Sequence, residues 1–263
     1  MTGPTWADGA AYERYMGRWS RLVAAEFVRW LDVPPGADWL DVGTGTGALV
    51  EAIVRDADPR SVRGIDRSAG FVSSAMGRVA DPRVSFEVGD AMAIPVPDDA
   101  VEAVVSGLVL NFVDDPATMA AEMLRAARPG GIVATYVWDY AGRMDLIRTF
   151  WDAAISIDPT SAALDQGERF PICAPDRLQE LLDGVGAVDV ETRAIDVPTR
   201  FADFDDFWQP FLGGQGPAPT YVAALPAATL AAIRAEARRR LPVAADGSIE
   251  ILARAWAVRG RAG

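Results

Sequence analysis

One stretch constrains this chain more than any other: Trp39-Leu40-Asp41-Val42-Gly43-Thr44-Gly45-Thr46-Gly47. A short apolar run followed by glycine at every second position reads as a strand turning sharply into a helix, here one near Gly47 to Asp56. Glycine suits such a turn because it tolerates positive φ. It also lets the backbone come close to a ligand, beside the amide N–H groups of the helix N-terminus. The spacing is G-x-G-x-G, and Asp41 stands two places before the first glycine. A carboxylate there opposes a pyrophosphate and favours an ammonium or sulfonium group. A purely structural turn and a nicotinamide site are the other readings this stretch allows.

The flanking pattern extends the strand–helix unit. Further strands are expected at Val62 to Asp66, Val84 to Val88, Val101 to Ser106 and Ile132 to Trp138. Helical periods lie between most of them, among them Pro116 to Ala127, closed by Pro129-Gly130-Gly131. Such alternation implies right-handed crossovers and a parallel sheet covered on both faces, an α/β fold. Later come helices at Asp145 to Ile157 and Pro175 to Asp183, then strands at Val188 to Val197 and Ile251 to Val258. An amphipathic helix is expected within 9–32, a cofactor-binding core over 38–140, and a mostly helical insertion over 198–249. No internal repeat or long linker divides the chain, so one domain is expected over 1–263.

Composition removes whole classes of chemistry. The chain has no histidine and no lysine, so all 25 basic residues are arginine. A Ser-His-Asp or Cys-His hydrolase lacks its base, a P-loop nucleotidase its lysine, and Schiff-base chemistry its amine. A single cysteine, Cys173, excludes an internal disulfide and a cysteine-based zinc site, and no metal is expected. The net charge is −12 with no basic run, which disfavours nucleic acid. The longest apolar stretch, Ala103 to Val113, is too short to cross a bilayer and no signal peptide is visible, so a cytoplasmic protein is expected.

Three more positions follow strands. Asp66 ends the second, where a carboxylate accepts ribose hydroxyls or caps the helix starting near Ser68. Asp90 and Ala91 end the third, as adenine contacts or as turn residues. Asn111, the chain's only asparagine, follows the fourth and either orients a ligand or caps a turn. Four successive strand ends therefore carry candidate ligand contacts, where open parallel sheets bind.

On these residues the segment Trp39 to Asp139 resembles class I S-adenosylmethionine-dependent methyltransferases, particularly the quinone-biosynthesis (methyltransferase type 11) group. The matching stretches are Leu40 to Gly47, Gly64 to Asp66, Gly89 to Ala91 and Leu124 to Gly131. The resemblance implies a Rossmann-like seven-stranded, mostly parallel sheet with an antiparallel last strand. A helical lid over 198–249 is expected on other grounds, the density of aromatics there and the glycine-rich joint Gly213-Gly214-Gln215-Gly216-Pro217. The resemblance further implies S-adenosylmethionine as cofactor, with Asp41 near its ammonium group and Gly43, Thr44, Gly45 and Gly47 along its methionine and ribose. Asp66 and Arg67 flank the ribose, Asp90 and Ala91 the adenine, and Leu108 and Asn111 complete the floor. Tyr15 and Arg18 come from a covering N-terminal helix, Arg18 toward the methionine carboxylate or else into solvent.

The reaction implied is methyl transfer to a small-molecule acceptor at oxygen, nitrogen or carbon. No Asn/Asp-Pro-Pro-Tyr follows the fourth strand, which argues against amide or nucleobase acceptors. Where a base is needed, Asp139 and Tyr140 are the candidates, with turn residues as their alternative reading. Trp138, Trp151, Trp208 and Phe211 are candidate walls of an acceptor pocket, the alternative being a core stripe. The rival functions are a nicotinamide-dependent oxidoreductase, which here lacks the usual proton-relay lysine, and a non-catalytic binding protein of the same fold.

Overall fold

A computed structural model describes residues 17–213 and 216–263. Seven strands form one sheet: β1 (Asp38–Val42), β2 (Ser61–Asp66), β3 (Val84–Val88), β4 (Val101–Gly107), β5 (Ala127–Trp138), β6 (Val188–Phe201) and β7 (Ile249–Arg261), in the order β3-β2-β1-β4-β5-β7-β6. The pairs β3–β2, β2–β1, β1–β4 and β4–β5 are parallel. β7 runs antiparallel to β5, since the Gly130 N–H donates to the Ala262 carbonyl and the Asp139 N–H to that of Arg254. β6 in turn faces β7 in opposite sense, with Glu191 on Arg259 and Asp196 on Arg254.

The strand order reverses direction between β1 and β4, the crevice where doubly wound sheets take their ligands. Both are built for burial: β1 is buried after its first residue, and Ala103 to Ser106 of β4 are buried. Helix α1 (Arg18–Leu31) lays Val23, Phe27 and Val28 inward, with Phe27 4.7 Å from the ring of Tyr136. Its last carbonyls are satisfied by Arg259, whose guanidinium donates to the Trp30 oxygen at 2.7 Å and lies over the Trp30 ring. Helices α2 (Ala48–Asp56), α3 (Ala69–Arg78) and α4 (Pro116–Ala126) follow β1, β2 and β4. α4 starts cleanly because Asp115 accepts the Ala117 and Thr118 N–H groups while Pro116 occupies its first turn.

The remaining helices are α5 (Asp145–Ile157), α6 (Gln166–Arg169), α7 (Pro175–Gly184), α8 (Phe204–Trp208), α9 (Pro217–Ala223) and α10 (Ala227–Arg240). The contacts divide the chain into two compact units. One contains, among the described residues, 20–137, 172–195 and 255–263; the other contains 17–19, 138–171 and 196–254. The second has a core of its own: Phe150 stacks on Phe211 at 4.6 Å, and Trp151, Trp208, Phe201 and Phe207 surround them. The expected insertion over 198–249 is thus one part of a unit that also takes the chain after β5.

Several expected boundaries move: β6 runs on to Phe201, into the expected insertion, and β7 spans Ile249–Arg261. α4 stops at Ala126 and β5 begins at once, so Pro129-Gly130-Gly131 lie in the opening of the strand rather than in a helix stop. Gly131 makes that opening possible, because a Cβ there would come within 2.7 Å of the Arg128 carbonyl and 3.0 Å of that of Glu102.

Candidate functional site

The glycine turn hangs from the end of β2. The N–H groups of Gly43 and Thr44 both donate to the Ile65 carbonyl at 2.8 Å, and that of Gly45 donates to Asp66 Oδ2 at 2.9 Å. Gly43 (φ +77°) has no room for a side chain: a Cβ would come within 2.5 Å of Val109. Gly45 (φ +54°) is the reverse case, since a Cβ there meets no atom within 4 Å. The turn is therefore packed on one side and presents bare backbone on the other.

Two carboxylates lie at this turn. Asp41, paired with Gly64 and Val105 in mid-sheet, is 1 % exposed, and neither of its oxygens has a hydrogen-bond partner. Burial pushes its carboxyl up to about 7; the Thr44 hydroxyl, too loosely placed for a full hydrogen bond, opposes the rise and the charge of Asp66 adds to it. Asp66 accepts the Ser68 N–H (2.8 Å) as well as that of Gly45, and burial still raises its carboxyl above the usual range. The cap of α3 is Ser68, which accepts from the Phe71 N–H, so Asp66 holds the glycine turn rather than the helix. Each Asp66 oxygen keeps a lone pair for a further donor. Arg67 is exposed.

The next strand ends add to this. The Gly89 N–H donates to the Asp66 carbonyl, and Asp90 is exposed, accepting the Met92 N–H with Oδ1 at 2.9 Å; Ala91 is half-buried. After β4 the chain passes through Leu108 at φ +63° into a 3-10 turn, Leu110–Phe112. Asn111 in that turn is buried and its Nδ2 has no partner. Leu108 at positive φ and the unpartnered Asn111 amide, three residues on, both stand at the carboxyl end of β4. Thr135 on β5, opposite Ser106, is also buried with an orphaned hydroxyl.

Comparison with known proteins meets this geometry from another direction. Residues 40–135 match the family model described as a methyltransferase domain. A 2-methyl-6-phytyl-1,4-hydroquinone methyltransferase of Synechocystis sp. is 30% identical over 70% of this chain and 57% of its own length, so the chain spans little more than half of that relative. A demethylmenaquinone methyltransferase of Roseiflexus castenholzii is 30% identical over 59% of this chain and 70% of its own length. The chain belongs to the S-adenosylmethionine-dependent methyltransferases. The fold agrees: a Haemonchus contortus phosphoethanolamine N-methyltransferase 2 in complex with S-adenosyl-L-methionine superimposes with a TM-score of 0.60 at 17% identity, over 97% of this chain and 57% of that one.

In this methyltransferase every described cofactor candidate from Asp41 to Asn111 lies within the matched segment and within one compact unit. The residues fit the cofactor. Two buried carboxylate oxygens lack partners beside bare backbone, an arrangement that suits a cationic nucleoside and disfavours a pyrophosphate. Tyr15 lies outside the described residues. Arg18 opens α1, and only its backbone is described.

The other candidates belong to the second unit. Asp139 is buried and each oxygen accepts one turn N–H, Oδ1 that of Gly142 (3.0 Å) and Oδ2 that of Arg143 (2.9 Å), which favours its reading as a turn residue. Tyr140 is buried with its ring 5.7 Å from that of Phe170. Trp138, Trp151, Trp208 and Phe211 are all at most 4 % exposed, and the Trp151 indole donates to Gln166. For Trp151, Trp208 and Phe211 the ring contacts favour the core reading. Sequence reasoning missed Val109, which closes over Gly43, and Thr135. Neither carries a local signal, since each acts through packing across strands.

Proposed function

We propose that this methyltransferase transfers the methyl group of S-adenosylmethionine to a small ring-hydroxyl acceptor of the hydroquinone kind. The observation that carries the cofactor part is Asp41, whose two unpartnered oxygens lie buried at a glycine turn held by Asp66. The acceptor part is supported by the names of the Synechocystis and Roseiflexus relatives. It is supported also by a net charge of −12 without a basic run, which makes a polyanionic acceptor unfavourable.

S-adenosylmethionine supplies a methyl carbon already activated by its sulfonium. Asp41 and Asp66 then supply charge complementarity and ribose acceptors, and Gly45 gives close backbone approach. Alignment of this kind is worth up to about 7–11 kcal/mol in favourable cases. With no histidine or lysine in the chain, proton removal from an acceptor hydroxyl falls to a carboxylate, a tyrosine or water. Asp139 and Tyr140 remain the candidates just beyond β5, although the oxygens of Asp139 also hold their own turn.

The test is transfer of labelled methyl from S-adenosylmethionine to reduced naphthoquinols and benzoquinols, with catechol amines and RNA as controls. Label in the hydroquinones alone is the expected result. Binding of S-adenosylhomocysteine without transfer to any hydroquinone would overturn the acceptor class and leave the cofactor standing.

A further inference from the structure

Glu122 and Arg125 on α4 form a contact set that the cofactor reading leaves unused. The Ile94 N–H donates to Glu122 Oε2 at 2.8 Å. The Arg125 guanidinium donates to the Ile94 carbonyl at 3.0 Å, the Val96 carbonyl at 2.9 Å and Asp98 at 2.8 Å, and both its Nε and one terminal nitrogen donate to Glu122 at 2.8 Å. One ion pair thus fixes three backbone groups of a loop. The pair is partly buried, and its direct consequence is to position that loop.

That loop needs an external hold. It follows β3, the edge strand of the sheet, whose Ser85, Glu87 and Val88 are exposed. At its start the Gly89 N–H reaches the Asp66 carbonyl at 3.1 Å; at its far end Ile94 and Val96 are buried and tied to α4. Asp90 stands between the two anchors. Its Oδ1 and its carbonyl take the Met92 and Ala93 N–H groups, and its Oδ2 takes no protein hydrogen bond among the described residues.

We propose that the Glu122–Arg125 pair determines the nucleobase specificity of the cofactor site, by clamping residues 94–98 so that the free oxygen of Asp90 is set for the adenine amino group. This rests on the S-adenosylmethionine reading and on Asp90 as its adenine contact. Glu122 and Arg125 are positioning residues: they touch the loop, not the nucleoside. A site built to accept an N–H rejects an analogue lacking it only if the acceptor is held in place, and an ångström of slack removes that selectivity. Lysine cannot replace Arg125, because a single ammonium does not span two carbonyls and two carboxylates.

The experiment is calorimetric titration of S-adenosylhomocysteine and S-inosylhomocysteine, which carries an oxygen where adenine has its amino group. The proteins are the wild type, Arg125→Lys and Glu122→Gln. The wild type is expected to prefer the adenosyl compound by about a hundredfold, the order expected for a lost charged hydrogen bond with an acceptor facing an acceptor. In both variants the adenosyl Kd rises about tenfold while the inosyl Kd stays within about threefold, so the preference shrinks. A folded variant that keeps the wild-type preference overturns the proposal. So does equal weakening of both ligands, which marks a merely structural role. Glu122→Gln retains the shape of the side chain and guards against a folding artefact in Arg125→Lys, with thermal melts as the check. A wild type that binds neither compound removes the cofactor reading, and this proposal with it.

Discussion

A carboxylate buried without a partner is among the costlier groups in a protein interior, and Asp41 is such a group. Its consequence is a pH dependence of definite sign. The carboxyl titrates near 7 in the folded chain and near the ordinary value of 3.8 when unfolded. Its contribution to stability is therefore complete below about 4 and is lost as pH rises through 7. Between pH 5 and pH 8 the unliganded wild type should lose on the order of 2–3 kcal/mol relative to Asp41→Asn. Urea unfolding of both proteins at the two pH values checks this, and an unchanged difference would refute it. A cationic ligand should shift the balance the other way, releasing a proton on binding near pH 7, which calorimetry in buffers of different ionisation enthalpy reads directly. Asp66 belongs to the same site in a different role. Asp66→Asn should weaken S-adenosylhomocysteine binding by roughly 10–100-fold, because the charged acceptor for ribose is lost.

At the scale of elements the glycine turn makes two opposite predictions at Gly43 and Gly45, two positions apart. Gly43→Ala forces a Cβ to within 2.5 Å of Val109 at a φ of +77°, and should destabilise the fold by about 1–3 kcal/mol. Adding Val109→Ala should restore part of that loss and leave the backbone strain, as a double-mutant cycle by thermal unfolding would show. Gly45→Ala meets no atom, so its stability loss should be smaller while cofactor affinity falls at least about tenfold. Most elements were legible in the sequence because their periods and punctuation are local. β3 runs from Val84 to Val88 and α5 from Asp145 to Ile157, as their patterns indicate. What failed depended on contacts across strands. β5 starts before Ile132 because a glycine lets Arg128 and Gly131 crowd together, and no window of sequence reports that approach. The aromatic residues left two readings open for the same reason. Phe150 and Phe211 stack across distant parts of the chain, a contact that favours the core reading of Phe211 and that no local pattern reports.

For the molecule as a whole, the reversal in strand order falls within the segment that matches the methyltransferase domain. The strand order reverses between β1 and β4, and Asp41 and Asn111 follow from those two strands, with Asp66 on the neighbouring one. The candidate cofactor site was readable because its residues sit at strand ends marked by glycine and aspartate. The division into two units was not, since the second is assembled from separate segments, 138–171 and 196–254, whose association lies in no single stretch. Among the described residues no helix is long and apolar enough to cross a membrane. The central claim, a cofactor site for a sulfonium nucleoside, is tested most directly by thermal unfolding with S-adenosylmethionine and its product S-adenosylhomocysteine, beside NADH, for the wild type and Asp66→Asn. At a hundred times its dissociation constant the adenosyl ligand should add about 2.7 kcal/mol and raise the wild-type midpoint on the order of 5 °C, with a smaller shift in the variant. A shift with NADH alone, or none with S-adenosylhomocysteine at millimolar concentration, would contradict it.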